Sequence, residues 1–291
     1  MGKEVDVMPG MKHKDFNIKR LLMYIVLIAV SVTMIYPFLW TVSASLKTTT
    51  QLFGGNTLDF IPNPIRLENY QDAFKYVPFG RFILNTLFIA VFVTFFQIVI
   101  ASMAGYAFAR FTFRGKNIVF ILLLGTMMIP GHVTLIPNYV LMRYLGWIDK
   151  YQALLIPTIF NGICVTGMFL MRQYFFSIPK ELEEAAIIDG CSRFRAFWSI
   201  IMPNAKPALA TFLIIGFNAE WNSFLWPLIV ISDVNKMPIQ VGLSFFKGVV
   251  SSNWGVLLAG ATIAIIPVMV VFLVFQKYFV RGVVTSGFGG K

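Results

Sequence analysis

Charge is what this chain has least of. Only 13% of its 291 residues are Asp, Glu, Lys or Arg, against 57% hydrophobic, where an ordinary soluble domain carries about a quarter charged residues. That balance excludes a conventional water-soluble fold and places the chain in a bilayer. Two cysteines, Cys164 and Cys191, are too few for a disulfide framework. One falls in an apolar stretch and the other in a polar loop, which excludes their pairing, and neither sits in a metal-ligand pattern. His132 has no second ligand at helical spacing, so a solvated or helix-capping role is expected for it. There is no G-x-x-x-x-G-K-S/T phosphate loop, no nucleophile elbow and no H-E-x-x-H. The chain therefore has no visible means of binding or hydrolysing ATP and is not read as an enzyme.

What is present is a set of long charge-free stretches. They run between Arg20 and Lys47, Arg81 and Arg110, Lys116 and Arg143, Lys150 and Arg172, Lys206 and Asp233, and Lys247 and Lys277, interrupted only by Glu220. Each is long enough for a helix to cross the roughly 30 Å hydrocarbon core. The expected fold is an all-α integral membrane protein of six transmembrane helices spanning 21–282, with tails at 1–20 and 283–291. The 47–82 segment, with Gly54, Gly55, Pro62 and Pro64, reads as an external loop containing one short helix around Leu67 to Lys75.

Orientation follows from Lys and Arg, which are retained on the cytoplasmic side. Alternate loops hold sixteen against eight, which puts both termini and the 172–206 loop in the cytoplasm. The net charge of +11 is then a topology signal, and no nucleic-acid partner is expected. A cleaved signal peptide ending near Ser43, Ala44 and Ser45 is the alternative for the first span; its apolar run exceeds the 7–15 residues of a signal core, which favours a retained helix.

The 172–206 loop carries a spaced pattern: Glu184, Ala185, Ala186, three residues, Gly190, nine residues, Ile200, one residue, Met202, Pro203. Pro179 suits a first helical turn, and Glu181, Glu183 and Glu184 place negative charge at the positive end of a helix. Gly190 suits its C-terminal cap. Ser192 can cap a second helix that must stop near Pro203, because a residue before proline disfavours the helical region. Ala185 and Ala186 let another protein approach one face closely, and Leu182 and Ile188 offer apolar contact.

Elsewhere Asn85, Thr94, Gln97 and Ser102 read as interhelical glue, with Ala101, Gly105 and Ala109 as small packing residues. Pro130 and Gly131 predict a break in span three, and Pro157, Asn161, Gly162 and Gly167 a deformable span four. Asn218, Glu220, Trp221, Asn222, Ser223 and Trp226 lie in the middle of span five. On one continuous helix Asn218, Asn222 and Trp226 share a sector, and Glu220 and Ser223 another. A mid-membrane carboxyl costs about 2.5 to 3.5 kcal/mol to insert, so it faces a cavity or a polar partner. Amides beside indole rings suit a hydroxylated ligand such as a sugar, so Asn218, Glu220, Asn222, Trp226 and Trp221 are expected to line a substrate pathway.

The loop resembles the EAA motif of membrane subunits of binding-protein-dependent ABC importers. Tyr36-Pro37-Phe38-Leu39-Trp40, Ala104-Gly105-Tyr106-Ala107-Phe108-Ala109-Arg110 and Trp221-Asn222-Ser223-Phe224-Leu225-Trp226-Pro227-Leu228 are similar to its carbohydrate-uptake branch, the maltose G-type and glycerol-3-phosphate permeases. The resemblance covers about 20–282. It implies a permease in a bacterial or archaeal cytoplasmic membrane that pairs with a homologous second permease, two ATPase subunits holding ATP and Mg²⁺, and an extracytoplasmic solute-binding protein, with a saccharide as cargo. Glu184, Ala185, Ala186 and Gly190 would form the coupling helix seated in an ATPase cleft. Met202 stands where the motif has Leu, a volume-conserving change. The ending Val284-Thr285-Ser286-Gly287 lacks the glycine-leucine-threonine-alanine-glycine run of maltose-type subunits, which puts an ATPase-contacting tail in doubt. A proton-coupled secondary carrier using Glu220, a permease for a polyol phosphate and a membrane scaffold remain open as alternatives.

Overall fold

The computed structural model describes residues 18–54, 59–250 and 253–287, with side chains described as far as Lys277. The side chains of the 283–291 tail therefore lie outside those described. Every regular element among the described residues is helical. In chain order they are α1 (Ile18–Ser45), α2 (Thr49–Phe53), α3 (Glu68–Tyr76), α4 (Phe79–Arg110), α5 (Lys116–Thr126), α6 (Gly131–Tyr144), α7 (Tyr151–Ile159), α8 (Gly162–Ser177), α9 (Glu181–Ile188), α10 (Arg193–Ala196), α11 (Met202–Asn204), α12 (Lys206–Trp221), α13 (Leu225–Val230), α14 (Ile239–Val250) and α15 (Trp254–Gly287).

Helices occupy each of the six charge-free stretches. α1, α4, the α7–α8 pair and α15 are each long and apolar enough to cross a membrane. The third stretch is a bent pair, α5 and α6 meeting at 91°, and the fifth holds Lys206–Val230, which meets the loop segment from Arg193 to Asn204 at 79°. The first bend follows from Pro130, which holds an extended backbone (φ −60°, ψ 130°) and starts α6 as its cap. α14 is an apolar helix in the connection between the fifth and sixth charge-free stretches. Its Ile239, Gly242, Phe246 and Val250 share one face and are buried.

α4 is the centre of the bundle. It packs along α8, α12 and α7, and buries Phe82, Val93, Gln97 and Ser102. Small residues set the closest approaches: a Cβ on Gly105 would lie 2.9 Å from the Met168 carbonyl and from the Arg172 amide. Of the four residues read as glue, Asn85 and Gln97 bond to other elements, while the buried hydroxyls of Thr94 and Ser102 have no hydrogen-bond partner among the described residues. Asn85 accepts from Tyr151 Oη (2.8 Å) and donates to the carbonyls of Asn235 and Met237. α1 stands apart, its apolar residues from Leu21 to Leu39 exposed, and packs chiefly on α15. Its last turn is woven into the fold: Ser43, Ala44 and Ser45 are buried, Asn69 Nδ2 donates to the carbonyls of Ser45 and Lys47, and Ser45 Oγ bonds Tyr70 Oη at 2.7 Å. The small residues in that stretch serve packing.

Two expectations about helix ends need correction. Pro179 lies outside α9, which begins at Glu181 with Lys180 as cap. The second loop helix does end near Pro203, at Asn204, but not for the expected reason: Met202, the residue before the proline, stays helical (φ −63°, ψ −43°). A π-helical turn at Phe197–Ile201, in which the Met202 amide bonds the Phe197 carbonyl, widens the helix by one residue per turn. That widening relieves the clash of a proline ring with the preceding turn, and the bend falls at Ala205 instead.

Candidate functional site

Two groups of functional residues lie at different places in the bundle. The first is built on α9. Its C-terminus is a Schellman arrangement: the Cys191 amide donates to the Ala186 carbonyl (2.9 Å) and the Gly190 amide to that of Ile187 (3.0 Å), with Gly190 at φ +87°. This explains the spacing physically. The second alanine of the motif supplies the carbonyl three residues inside the helix end, and the left-handed residue four later has to be one without a Cβ. Ser192 then caps α10, accepting from the Arg195 amide at 3.3 Å.

α9 has two faces. Glu183 and Ala186, three residues apart, are buried in the chain. Leu182, Glu184, Ala185 and Ile188 are exposed, Ile188 by 85%. Ala186 is therefore not on the outward surface where the sequence reading put it; its small side chain lets α9 lie down on its own protein. The residue that reading missed is Glu183. Its carboxylate accepts a hydrogen bond from Tyr106 Oη and pairs with Arg110, Nε to Oε2 3.3 Å. Arg110 Nη2 also donates to the Ile178 carbonyl at 2.7 Å. Tyr106 and Arg110 belong to the Ala104–Arg110 motif, so two sequence signals treated separately meet in one contact. A carboxylate at the inward position beside the motif glutamate was the available clue.

The second group surrounds a cavity of about 430 Å³. Three helix breaks converge on it. One is the start of α6, with Gly131, His132, Thr134 and Asn138; the second is the α7–α8 break, with Pro157, Thr158 and Asn161; the third is the end of α12 and start of α13, with Glu220, Ser223 and Trp226. Asn161 holds the second break open: its side-chain oxygen caps α8 by accepting from the Ile163 amide (2.9 Å) and also accepts from Gln97 Nε2 (3.2 Å). Glu220 is 5% exposed and shares the cavity wall with Asn161. The positive N-terminal end of α8 faces the same space.

The third break was not expected, and it redistributes span five. Pro227 cannot donate to the Ser223 carbonyl and its ring would crowd it, so the helix ends before Ser223 and restarts at Leu225. Asn222 Nδ2 turns back onto the carbonyl and side chain of Asn218 (2.9 and 3.0 Å), and Gln240 donates to Asn222 at 3.1 Å. Asn218 and Asn222 thus form one exposed polar row, while Trp226 is swung onto the cavity with Glu220 and Ser223. The Trp226 indole N–H donates to the Ala153 carbonyl at 2.9 Å. Trp221 lies on neither surface. It is 1% exposed, stacks on Phe217 and donates to the Ala264 carbonyl at 3.0 Å, which makes it a core wedge between α12 and α15.

Residues 97–285 match the family described as binding-protein-dependent transport system inner membrane component. The arabinooligosaccharides transport system permease protein AraQ of Bacillus subtilis (strain 168) is 33% identical over 278 residues, covering 95% of this chain and 98% of that protein. The trehalose/maltose transport system permease protein MalG of Thermococcus litoralis is 31% identical over 277 residues, covering 94% and 98%. A chain in the crystal structure of a bacterial ABC transporter involved in the import of the acidic polysaccharide alginate superimposes with a TM-score of 0.78 at 27% identity, covering 93% of this chain and 100% of that one.

Proposed function

Because the chain belongs to the family of binding-protein-dependent transport system inner membrane components, we propose that it is one permease subunit of an ATP-driven importer of saccharides, oligosaccharides foremost. It works with a homologous second permease, two ATPase subunits that hold ATP and Mg²⁺, and an extracytoplasmic binding protein. Both termini and α9 face the cytoplasm. The two-sided α9 is the observation that carries this reading: its inner face is fixed to the bundle, and its outer face offers Leu182, Glu184, Ala185 and Ile188 to another protein. An ATPase cleft closing on ATP would move that face, and alternating access would follow from rigid-body motion of the spans.

The cavity supports a neutral, hydroxyl-rich cargo over a polyol phosphate. Its lining supplies side-chain amides, hydroxyls, the Trp226 indole, the His132 imidazole and one carboxyl group, and no Lys or Arg. A phosphate would find no Lys or Arg there to compensate its charge, whereas amides and an indole suit the hydroxyls and C–H faces of a sugar. Asn218 and Asn222 extend the polar route along the exposed side of α12, where the second permease would close it. Replacing Ile188 and Leu182 by Asp tests the assignment. Loss of ATPase co-purification together with loss of uptake is expected; uptake that persists without bound ATPase would contradict it.

A further inference from the structure

Resting on the importer reading above, we infer that Tyr106, Arg110 and Glu183 form a strut that makes α9 move with α4, and that they are positioning residues for coupling ATP hydrolysis to transport. α9 turns only two side chains inward, Glu183 and Ala186. Ala186 supplies contact without direction. Glu183 supplies the polar connection, one carboxylate oxygen held by the Tyr106 hydroxyl and the other facing Arg110 at 3.3 Å. The Arg110 and Glu183 side chains are only 4% and 10% exposed. Sliding α9 along α4 would separate buried opposite charges and leave each uncompensated, which a low-dielectric site resists strongly.

The strut has a second anchor and a stiff lever. Arg110 Nη2 donates to the Ile178 carbonyl at 2.7 Å, gripping the connection by which α8 leads into α9. The Tyr106 ring packs on Phe197 (centroids 4.8 Å apart) and Phe111 (5.4 Å), bringing in the π-helical turn that follows α10. Each of the other described spans contains a proline or a break: Pro37 in α1, the bend between α5 and α6, Pro157 in α7, Pro227 in α13 and Pro267 in α15. α4 has neither over its 32 residues. Gln97, which donates to the cavity-lining Thr158 carbonyl and Asn161 side chain at 2.9 and 3.2 Å, is nine residues from Tyr106, about 13 Å along the same helix. A push on α9 therefore reaches the cavity wall through one uninterrupted rod.

The test uses the whole transporter in proteoliposomes with loaded binding protein, reading ATPase co-purification, the rate of ATP hydrolysis, and substrate imported per ATP. Tyr106→Phe removes one hydroxyl and Glu183→Gln removes the charge. Both are expected to keep the ATPases bound and hydrolysing, while import per ATP falls by about fivefold for Tyr106→Phe, the size of one lost hydrogen bond, and further for Glu183→Gln. Should Glu183→Gln fail to assemble, Tyr106→Phe decides alone. An unchanged ratio, or uptake and hydrolysis falling in parallel with ATPase loss in Tyr106→Phe, overturns the strut and leaves the importer reading intact. A wild-type complex with no ATPase activity contradicts the importer reading, and the strut with it.

Discussion

Phe212 on α12 seats its ring against Gly167 on α8 so closely that a Cβ at position 167 would lie 2.0 Å from the ring's Cζ. Phe212 is 1% exposed, so the ring has nowhere to withdraw. Gly167→Ala is expected to destabilise the bundle by about 1–3 kcal/mol through overpacking, read as a lower unfolding midpoint of the detergent-solubilised protein. Adding Phe212→Leu should recover part of the loss. An unaltered midpoint for the single variant would show that α8 and α12 do not meet this closely.

Gly190 makes a different demand. Nothing lies within 4 Å of a Cβ built there, but φ is +87°, so any cost is one of backbone conformation. Ala should destabilise the α9 terminus by roughly 1–2 kcal/mol, while Asn, which tolerates the left-handed region, should cost less. Transport activity is expected to rank Gly, Asn, Ala, Val in descending order. A ranking by side-chain volume alone would point instead to a contact surface at residue 190.

Asp149 organises the connection between α6 and α7. It sits at φ +63°, its carboxylate accepts from the amides of Ser232 and Asp233 (3.1 and 3.0 Å), and Lys236 donates to its carbonyl at 3.0 Å. Asp149→Asn keeps an acceptor and a residue at home with positive φ and should be nearly neutral. Asp149→Ala loses both bonds and should cost about 1–3 kcal/mol, measured by thermal unfolding. In the same cluster the Asn235 backbone amide, assisted by Lys236, holds the Asp233 carboxyl below its ordinary range. Its folded value lies under its unfolded value, so its contribution is complete above the usual aspartate range. That contribution is lost as pH falls through the lowered value.

Glu220 separates the importer from a proton-driven carrier. Collapsing the proton gradient with an ionophore while ATP is maintained should leave uptake unchanged, and Glu220→Gln should retain fold and ATPase activity while weakening import. Uptake that stops with the gradient would favour the carrier.

Span positions were legible because absence of charge over twenty-odd residues has one physical meaning in a bilayer, and the bend at Pro130 was legible because proline and glycine stood together. The break after Trp221 was not. Helical periodicity treats span five as one cylinder, and Pro227 disrupts the turn before it rather than its own position, so Trp226 moved away from Asn218 and Asn222. Trp221 was read as lining a pathway because an indole among polar residues looks alike on a core and a cavity face; its partner, the Ala264 carbonyl, is 43 residues away in sequence. The inward role of Glu183 was missed for a similar reason. Three glutamates at a helix start satisfy the dipole argument equally, and only the position of Tyr106 and Arg110 on another helix singles out one.

The central claim is that this chain couples a separate ATPase to passage of a saccharide. It is tested most directly by purifying the tagged chain from membranes and assaying ATP hydrolysis by whatever co-purifies, with a loaded binding protein and candidate oligosaccharides. Recovery of an ATPase and a second permease, with turnover stimulated by one saccharide, is the predicted result. Recovery of the chain alone, able to move substrate in vesicles without ATP, would contradict it.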